Sequence, residues 1–371
     1  MALRFTTEHD ELRRTVRSFL AHHSPESEVR RVMATDDGYD PALWSRLGDL
    51  GLVGLAVPEE LGGSGYGWTE VAIVLEEAGR ALLCAPYFST VVLAIGALLN
   101  SDDGQAQKEH LPAIAAGART ATLAITGDAG AWDEPSIEVS AVRRNGHWRL
   151  DGHAAHVVDG ATADLLLVAA RTADGPSLFA VDGDSPGITR RPAPTLDLTR
   201  KQARLELAGA PAELVGAPGA GWEAVARTLD LGAVGLAAEQ VGGAARALEM
   251  AVDYAMVRHQ FGRPIGSFQA VKHLCADMLV EVESARSAAY HAIWAADHDP
   301  EELPVAASLA KAYCSDAFTF VAGQNIQVHG GVGFTWEHPA HLYIKRAKTD
   351  QLLLGDALHH RRLLARRIGL S

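Results

Sequence analysis

A chain of 371 residues, 48% hydrophobic and 21% charged, is long enough for two or three domains and can bury a large core. Its formal net charge of −13 excludes a protein that tracks nucleic-acid phosphates with a broad basic face, although local arginines can still grip an anionic ligand. Cys84, Cys275 and Cys314 are odd in number and widely spaced, so reduced thiols and a cytoplasmic location are expected.

The first stretch, MALRFTTEHDELRRTVRSFL, alternates charge with apolar residues at helical spacing and does not read as a signal peptide. No run reaches the roughly 18 uninterrupted apolar residues of a membrane span. Residues 1–118 read as a helical domain. Thr6 and Thr7 are N-cap candidates ahead of Leu12, Val16, Phe19 and Leu20 on one face. Asp40-Pro41 starts a second helix with Leu43, Leu47 and Leu50 inward. The glycines of GLAVPEELGGSGYGW form no G-x-G-x-x-G after a strand and predict a surface turn. Helical patterns resume over 68–82, 88–99 and 106–116.

Near Arg119 the period changes. Short strands are predicted over 120–126, 137–142, 147–150, 153–158, 165–170, 177–181 and 203–207, several joined by Asp-Gly, Asn-Gly or Gly-Pro turns. Seven such strands read as an antiparallel barrel or sandwich over 119–217. From Trp222 the helical period returns, with helices predicted over 224–258, 267–296, 302–328 and 340–367, a four-helix bundle within 218–371. The fold class is therefore α+β, in the order helical domain, β domain, helical bundle.

Two stretches carry ligand-gripping chemistry. RHQFGRPIGSFQ (258–269) sets a guanidinium and an aromatic before a tight turn and a returning glutamine, and QVHGGVGF (327–334) runs a glutamine into paired glycines. Arginine forks onto phosphate oxygens, phenylalanine offers a stacking face, and glycine admits a close backbone approach, an inventory suited to a dinucleotide.

These motifs and the three-part order resemble the acyl-CoA dehydrogenase family over essentially the whole chain. LGDLGLVGLAVPEELGGSGYG (47–67) is similar to the family's N-terminal loop and GAGW (219–222) to the start of its C-terminal bundle. The resemblance implies a homo- or heterotetramer, FAD as cofactor, an acyl-CoA thioester as substrate, and an electron-transfer flavoprotein as electron acceptor. In such enzymes a carboxylate removes the α proton while the β hydride passes to the flavin. Carried over by position, Arg258, Gln260, Phe261, Gln269, Gln327 and Gly331 hold the FAD of a neighbouring subunit, and Thr126 belongs to the chain's own flavin site.

The departures are equally informative. The family's usual base position is Leu354, in KRAKTDQLLLGDALHHR, and the alternative base position on the first bundle helix is Gly232, in LDLGA. Neither side chain accepts a proton. The TGDAGAWD loop (126–133) keeps Thr126 and Asp133 but loses a serine, HVVD (156–159) replaces the tryptophan and threonine that face the flavin ring, and a CoA-contacting arginine corresponds to Ala233, whereas Asp230 persists. Glu239 lies seven residues beyond Gly232, about 10 Å of helical rise, and Asp356 is short and misphased; both are weak substitutes for the base. Adjacent His359 and His360 point about 100° apart on a helix, which predicts solvent or interface use rather than a metal site.

The expected role is that of a partner subunit in a heteromeric acyl-CoA dehydrogenase, similar to the two-chain enzymes of steroid side-chain degradation, with the catalytic Glu on the other chain. The alternatives are a self-sufficient homotetramer that uses Glu239, and a flavin-free scaffold or flavin oxygenase of the same fold.

Overall fold

The computed structural model describes residues 5–370 and divides the chain into two compact units. One holds residues up to 30, 72–83 and from 233 onward; the other holds 31–71 and 84–232.

The first unit is helical. Its helix α1 (Thr7–His23) starts on a reciprocal cap, Thr6 accepting from the His9 N–H while the His9 ring accepts from the Thr6 N–H. Arg13 and Arg17 of α1 reach Glu76 and Glu77 in the last turns of α4 (Trp68–Ala81), and Glu76 also accepts from Arg286 and Tyr290 of α8 (Gln269–His298). The bundle is completed by α7 (Gly221–Val257, in this unit from Ala233), α9 (Leu303–His329), α10 (Ala340–Leu352) and α11 (Ala357–Arg367). Glycine sets how closely α4 and α7 approach. A Cβ at Gly79 would overlap the Glu239 carbonyl oxygen, and one at Gly242 the Glu76 carbonyl oxygen.

The predicted helix over 340–367 is two helices. Leu354 (φ 60°) and Gly355 (φ 100°) turn the backbone left-handed, and the Asp356 carboxylate caps α11 by accepting from the His359 N–H at 2.7 Å. The run LLLG reads as continuous helix by hydrophobicity, but Gly-Asp carries both the stop and the restart.

In the second unit Asp40 caps α3 (Pro41–Asp49) as expected, and Leu43 and Leu47 are buried together with Trp44. Leu50 is half exposed because it lies one residue past the helix. The segment predicted as helix from 88 begins as a π-helical turn, Phe88–Ala94, every residue of it buried. Its Thr90 hydroxyl accepts from the Ala121 N–H and donates to the Ala121 carbonyl, joining the turn to the first strand.

The strands are β1 (Ala121–Ala124), β2 (Ser140–Arg144), β3 (His147–Val158), β4 (Leu165–Thr172), β5 (Gly175–Asp182), β6 (Ile188–Pro192) and β7 (Gln202–Val215). The pairings β4–β5–β7–β3–β2–β4 close a ring, with β1 joined to β4 and β6 to β7. The β domain is present as expected, but β1 and β2 both pair with β4 in parallel, so the ring is mixed rather than purely antiparallel. Two predicted strands merge into β3 because Gly152 (φ 129°) carries the chain through a register shift. Strand β6 has the sequence ITRRP, with a single aliphatic side chain and no alternation to signal it. Leu150, Leu166, Val168, Phe179, Val181 and Leu205 fill the interior. Among the described residues no helix is long and apolar enough to cross a membrane.

The α4–α7 approach has a measurable consequence. Gly242→Ala should lower stability by about 1–3 kcal/mol through overpacking, read as a lower urea midpoint. An unchanged midpoint would mean the helices separate without cost.

Candidate functional site

Both ligand-gripping motifs lie at the ends of long helices in the first unit. Beyond α7, β8 (His259–Gln260) pairs with β9 (Arg263–Pro264) around Phe261 and Gly262, which have φ of 54° and 77°. A two-residue hairpin turn with both central residues left-handed favours Asn-Gly; phenylalanine there costs about 1–2 kcal/mol. The strained residue presents its side chain outward, 93% exposed. Backbone strain of this kind clusters at ligand clamps and active sites. The Ile265 N–H donates to the Arg258 carbonyl at 2.7 Å, and Arg263 stacks over Phe268 at 4.2 Å, so the loop is tied at both ends. Arg258, Gln260 and Gln269 are exposed. At the end of α9, Gln327 and Gly331 are exposed too, and a Cβ at Gly330 or Gly331 would meet nothing within 4 Å. This is an open backbone edge beside a guanidinium, an aromatic face and three carboxamides, and it fits the phosphates and adenine of a dinucleotide.

The residues expected to face the chain's own flavin are arranged differently. Thr126 is fully buried, its hydroxyl directed at the Gly127 carbonyl at 3.4 Å, and Val158 is buried as well. His156 (φ 55°) is exposed, and Asp159 (φ 53°) accepts from the Ser89 hydroxyl at 2.6 Å. In the 126–133 loop Asp128 is held by Arg204 and by His153, which also meets Glu138 at 2.7 Å. Val158 has no hydroxyl to offer a ring, and the Thr126 hydroxyl is buried.

The candidate bases are committed elsewhere. Leu354 is 2% exposed. Its carbonyl accepts from His360 Nε2 at 2.9 Å, and Lys311 Nζ donates to the carbonyls of Gly355 at 3.0 Å and Gln351 at 3.2 Å and to the Ser315 hydroxyl at 3.0 Å. Burial lowers Lys311 to about 8 and His360 to about 3. His360 is thus a buried neutral imidazole that ties down a backbone corner, not the solvent or interface residue that was expected. Asp356 caps α11. Glu239, 2% exposed at its side chain, is ion-paired with Arg346, 1% exposed. A carboxylate held by a guanidinium must give up that partner before it can take a substrate proton. Sequence reasoning missed Lys311, Arg346 and His360 as site-building residues, because their partners lie 40 or more positions away or are backbone carbonyls.

Residues 6–118 match the family description "Acyl-CoA dehydrogenase, N-terminal domain", and residues 219–369 match "Acyl-CoA dehydrogenase, C-terminal domain". The chain is 34% identical to acyl-CoA dehydrogenase IpdE2 of Mycolicibacterium smegmatis, over 94% of each chain. The chain belongs to the acyl-CoA dehydrogenase family. FAD is accordingly the implied cofactor and flavin-dependent oxidation the implied reaction class. Among solved structures it is similar to the ChsE4–ChsE5 complex from Mycobacterium tuberculosis, with a TM-score of 0.91 and 31% identity over the full length of both chains. A further likeness, with a TM-score of 0.87 and 34% identity over 97% of each chain, is to a variant of the steroid acyl-CoA dehydrogenase Tcur3481–Tcur3483.

Two predictions separate structural from chemical roles in this acyl-CoA dehydrogenase-family chain. Glu239→Gln removes the negative member of a buried pair and should cost about 3–5 kcal/mol of stability, much of it recovered in Glu239→Gln/Arg346→Met. A urea midpoint unmoved by Glu239→Gln would contradict the structural role. His360 is neutral when folded, whereas an unfolded imidazole protonates near pH 6.5. Its contribution is therefore intact above about pH 6.5 and declines as pH falls toward 3, by roughly 2 kcal/mol at pH 5. His360→Gln should flatten the stability slope between pH 6.5 and 5; equal slopes for variant and wild type would refute the assignment.

Proposed function

We propose that this chain is the partner subunit of a heteromeric acyl-CoA dehydrogenase, completing the FAD site of a catalytic chain that carries the glutamate base. The observation behind this reading is a contrast within one unit: the clamp motifs face outward, while the base position is a buried leucine. Asp356 is spent on a helix cap and Glu239 on a buried ion pair.

When bound, FAD supplies the acceptor for a hydride from the acyl β-carbon. On this reading Arg258 neutralises pyrophosphate charge, Phe261 packs against the adenosine portion, and Gln260, Gln269 and Gln327 complete the polar contacts. The Gly330–Gly331 edge lets the nucleotide approach the backbone. The partner's carboxylate takes the α proton, because none of the candidate carboxylates in this chain is free to do so. A soluble, cytoplasmic assembly passing electrons to an electron-transfer flavoprotein, with a steroid or other lipid acyl-CoA as substrate, is consistent with the two-chain and steroid neighbours.

The test is to isolate the tagged chain from its own cells, together with the subunits that accompany it, and to assay FAD and chain identity by mass spectrometry. A second acyl-CoA dehydrogenase chain bearing a glutamate at the base position is expected, with about one FAD per heterodimer and little FAD on the chain expressed alone. Arg258→Ala should reduce FAD occupancy of the complex without dissolving it. Full FAD content and turnover in the isolated homomer would overturn the proposal.

A further inference from the structure

We propose that Tyr254, His329 and His338 form an aromatic stack whose function is to hold the two halves of the nucleotide clamp at a fixed separation. The inference rests on the clamp reading above and assigns positioning residues that lie beneath it.

The two motifs end different helices, so nothing in the local chain fixes their spacing. The stack bridges them. Tyr254 lies one turn before Arg258, and its carbonyl accepts the Arg258 N–H at 2.9 Å. The Tyr254 ring lies 4.3 Å from the His329 ring, tilted by 30°. His329 sits between Gln327 and Gly331, the two clamp residues of the second motif. The His338 ring also lies against His329, with centroids 4.2 Å apart and planes tilted by 44°. Pairs at this spacing are favourable beyond their buried area and bring few rotatable bonds.

Backbone groups set both imidazole tautomers. His329 Nδ1 lies 2.8 Å from the Asn325 carbonyl, which can only accept, so Nδ1 carries the proton. His338 Nδ1 accepts the Ala340 N–H at 3.2 Å, so its proton is on Nε2. Burial holds both rings below the ordinary histidine range. The glycine segment is then folded onto this base: a Cβ at Gly333 would lie 2.8 Å from the His329 Cβ, which only glycine avoids. The ring of His329 therefore contacts both Tyr254 and His338, with the Gly330–Phe334 turn packed at its root. None of the three side chains belongs to the exposed clamp, so their contribution is preorganisation of the residues that do.

The experiment has two readouts. Tyr254→Ala and His329→Ala are compared with the ring-retaining Tyr254→Phe and His329→Phe. Amide hydrogen exchange is followed over 258–262 and 330–334, and FAD dissociation is measured on the assembled flavoprotein isolated from its own cells. The alanine variants are expected to speed exchange at least tenfold in both segments, leave 307–315 unchanged, and weaken FAD binding tenfold or more. The phenylalanine variants should stay within twofold of wild type. If the alanine variants fold too poorly to measure, Tyr254→Leu and His329→Leu fill the volume without a stacking ring and carry the same expectation. Acceleration confined to the substituted segment overturns the stack, whatever happens to FAD. A wild-type assembly lacking FAD would instead overturn the clamp reading, and exchange would still decide whether the stack couples the two segments.

Discussion

Lys311 spends all three ammonium protons inside the bundle, on Ser315 of its own helix and on the carbonyls of Gln351 and Gly355 where α10 ends. A lysine that keeps its charge away from water needs every donor satisfied, and carbonyls at a helix C-terminus carry the negative partial charge that suits it. Gln240 of α7 joins the same group through Ser315, at 3.0 Å. Its chain neighbour Glu239 forms the buried pair with Arg346 that fastens α10 to α7, at the level where Gly79 and Gly242 bring α4 close. Such buried charges add little net stability compared with well-packed apolar residues, but removing one partner alone is strongly destabilising.

The corner itself keeps a demanding geometry. Leu354 is left-handed, a conformation costly for a branched side chain, and both its own carbonyl and that of Gly355 are held by buried basic groups. Leucine contributes packing there where a carboxylate would contribute a proton acceptor. The two candidate carboxylates, Asp356 and Glu239, serve as a helix cap and an ion pair.

The two flavin-related surfaces differ in a physically coherent way. The outward clamp retains strain at Phe261, an open glycine edge and exposed polar side chains. At the positions expected to face the chain's own flavin, Thr126 and Val158 are buried and Asp159 accepts from Ser89. A surface maintained at a conformational cost is one feature on which the proposed role, a subunit serving another chain's cofactor, rests.

Residue order alone determined the helix–strand–helix arrangement, the clamp motifs and the missing base, because periodicity, turn chemistry and motif spacing are local or nearly local properties. The same local signals showed that Leu354 cannot accept a proton. They could not show that Glu239 faces Arg346 or that Tyr254 lies against His329, since each pairing joins positions brought together only by packing. The parallel strand pairings, the weakly patterned β6 and the break between α10 and α11 were likewise settled by long-range contacts and backbone sterics. What the chain carries was written in its sequence; which of its charged groups remained available for chemistry was decided by the partners that the tertiary fold gave them.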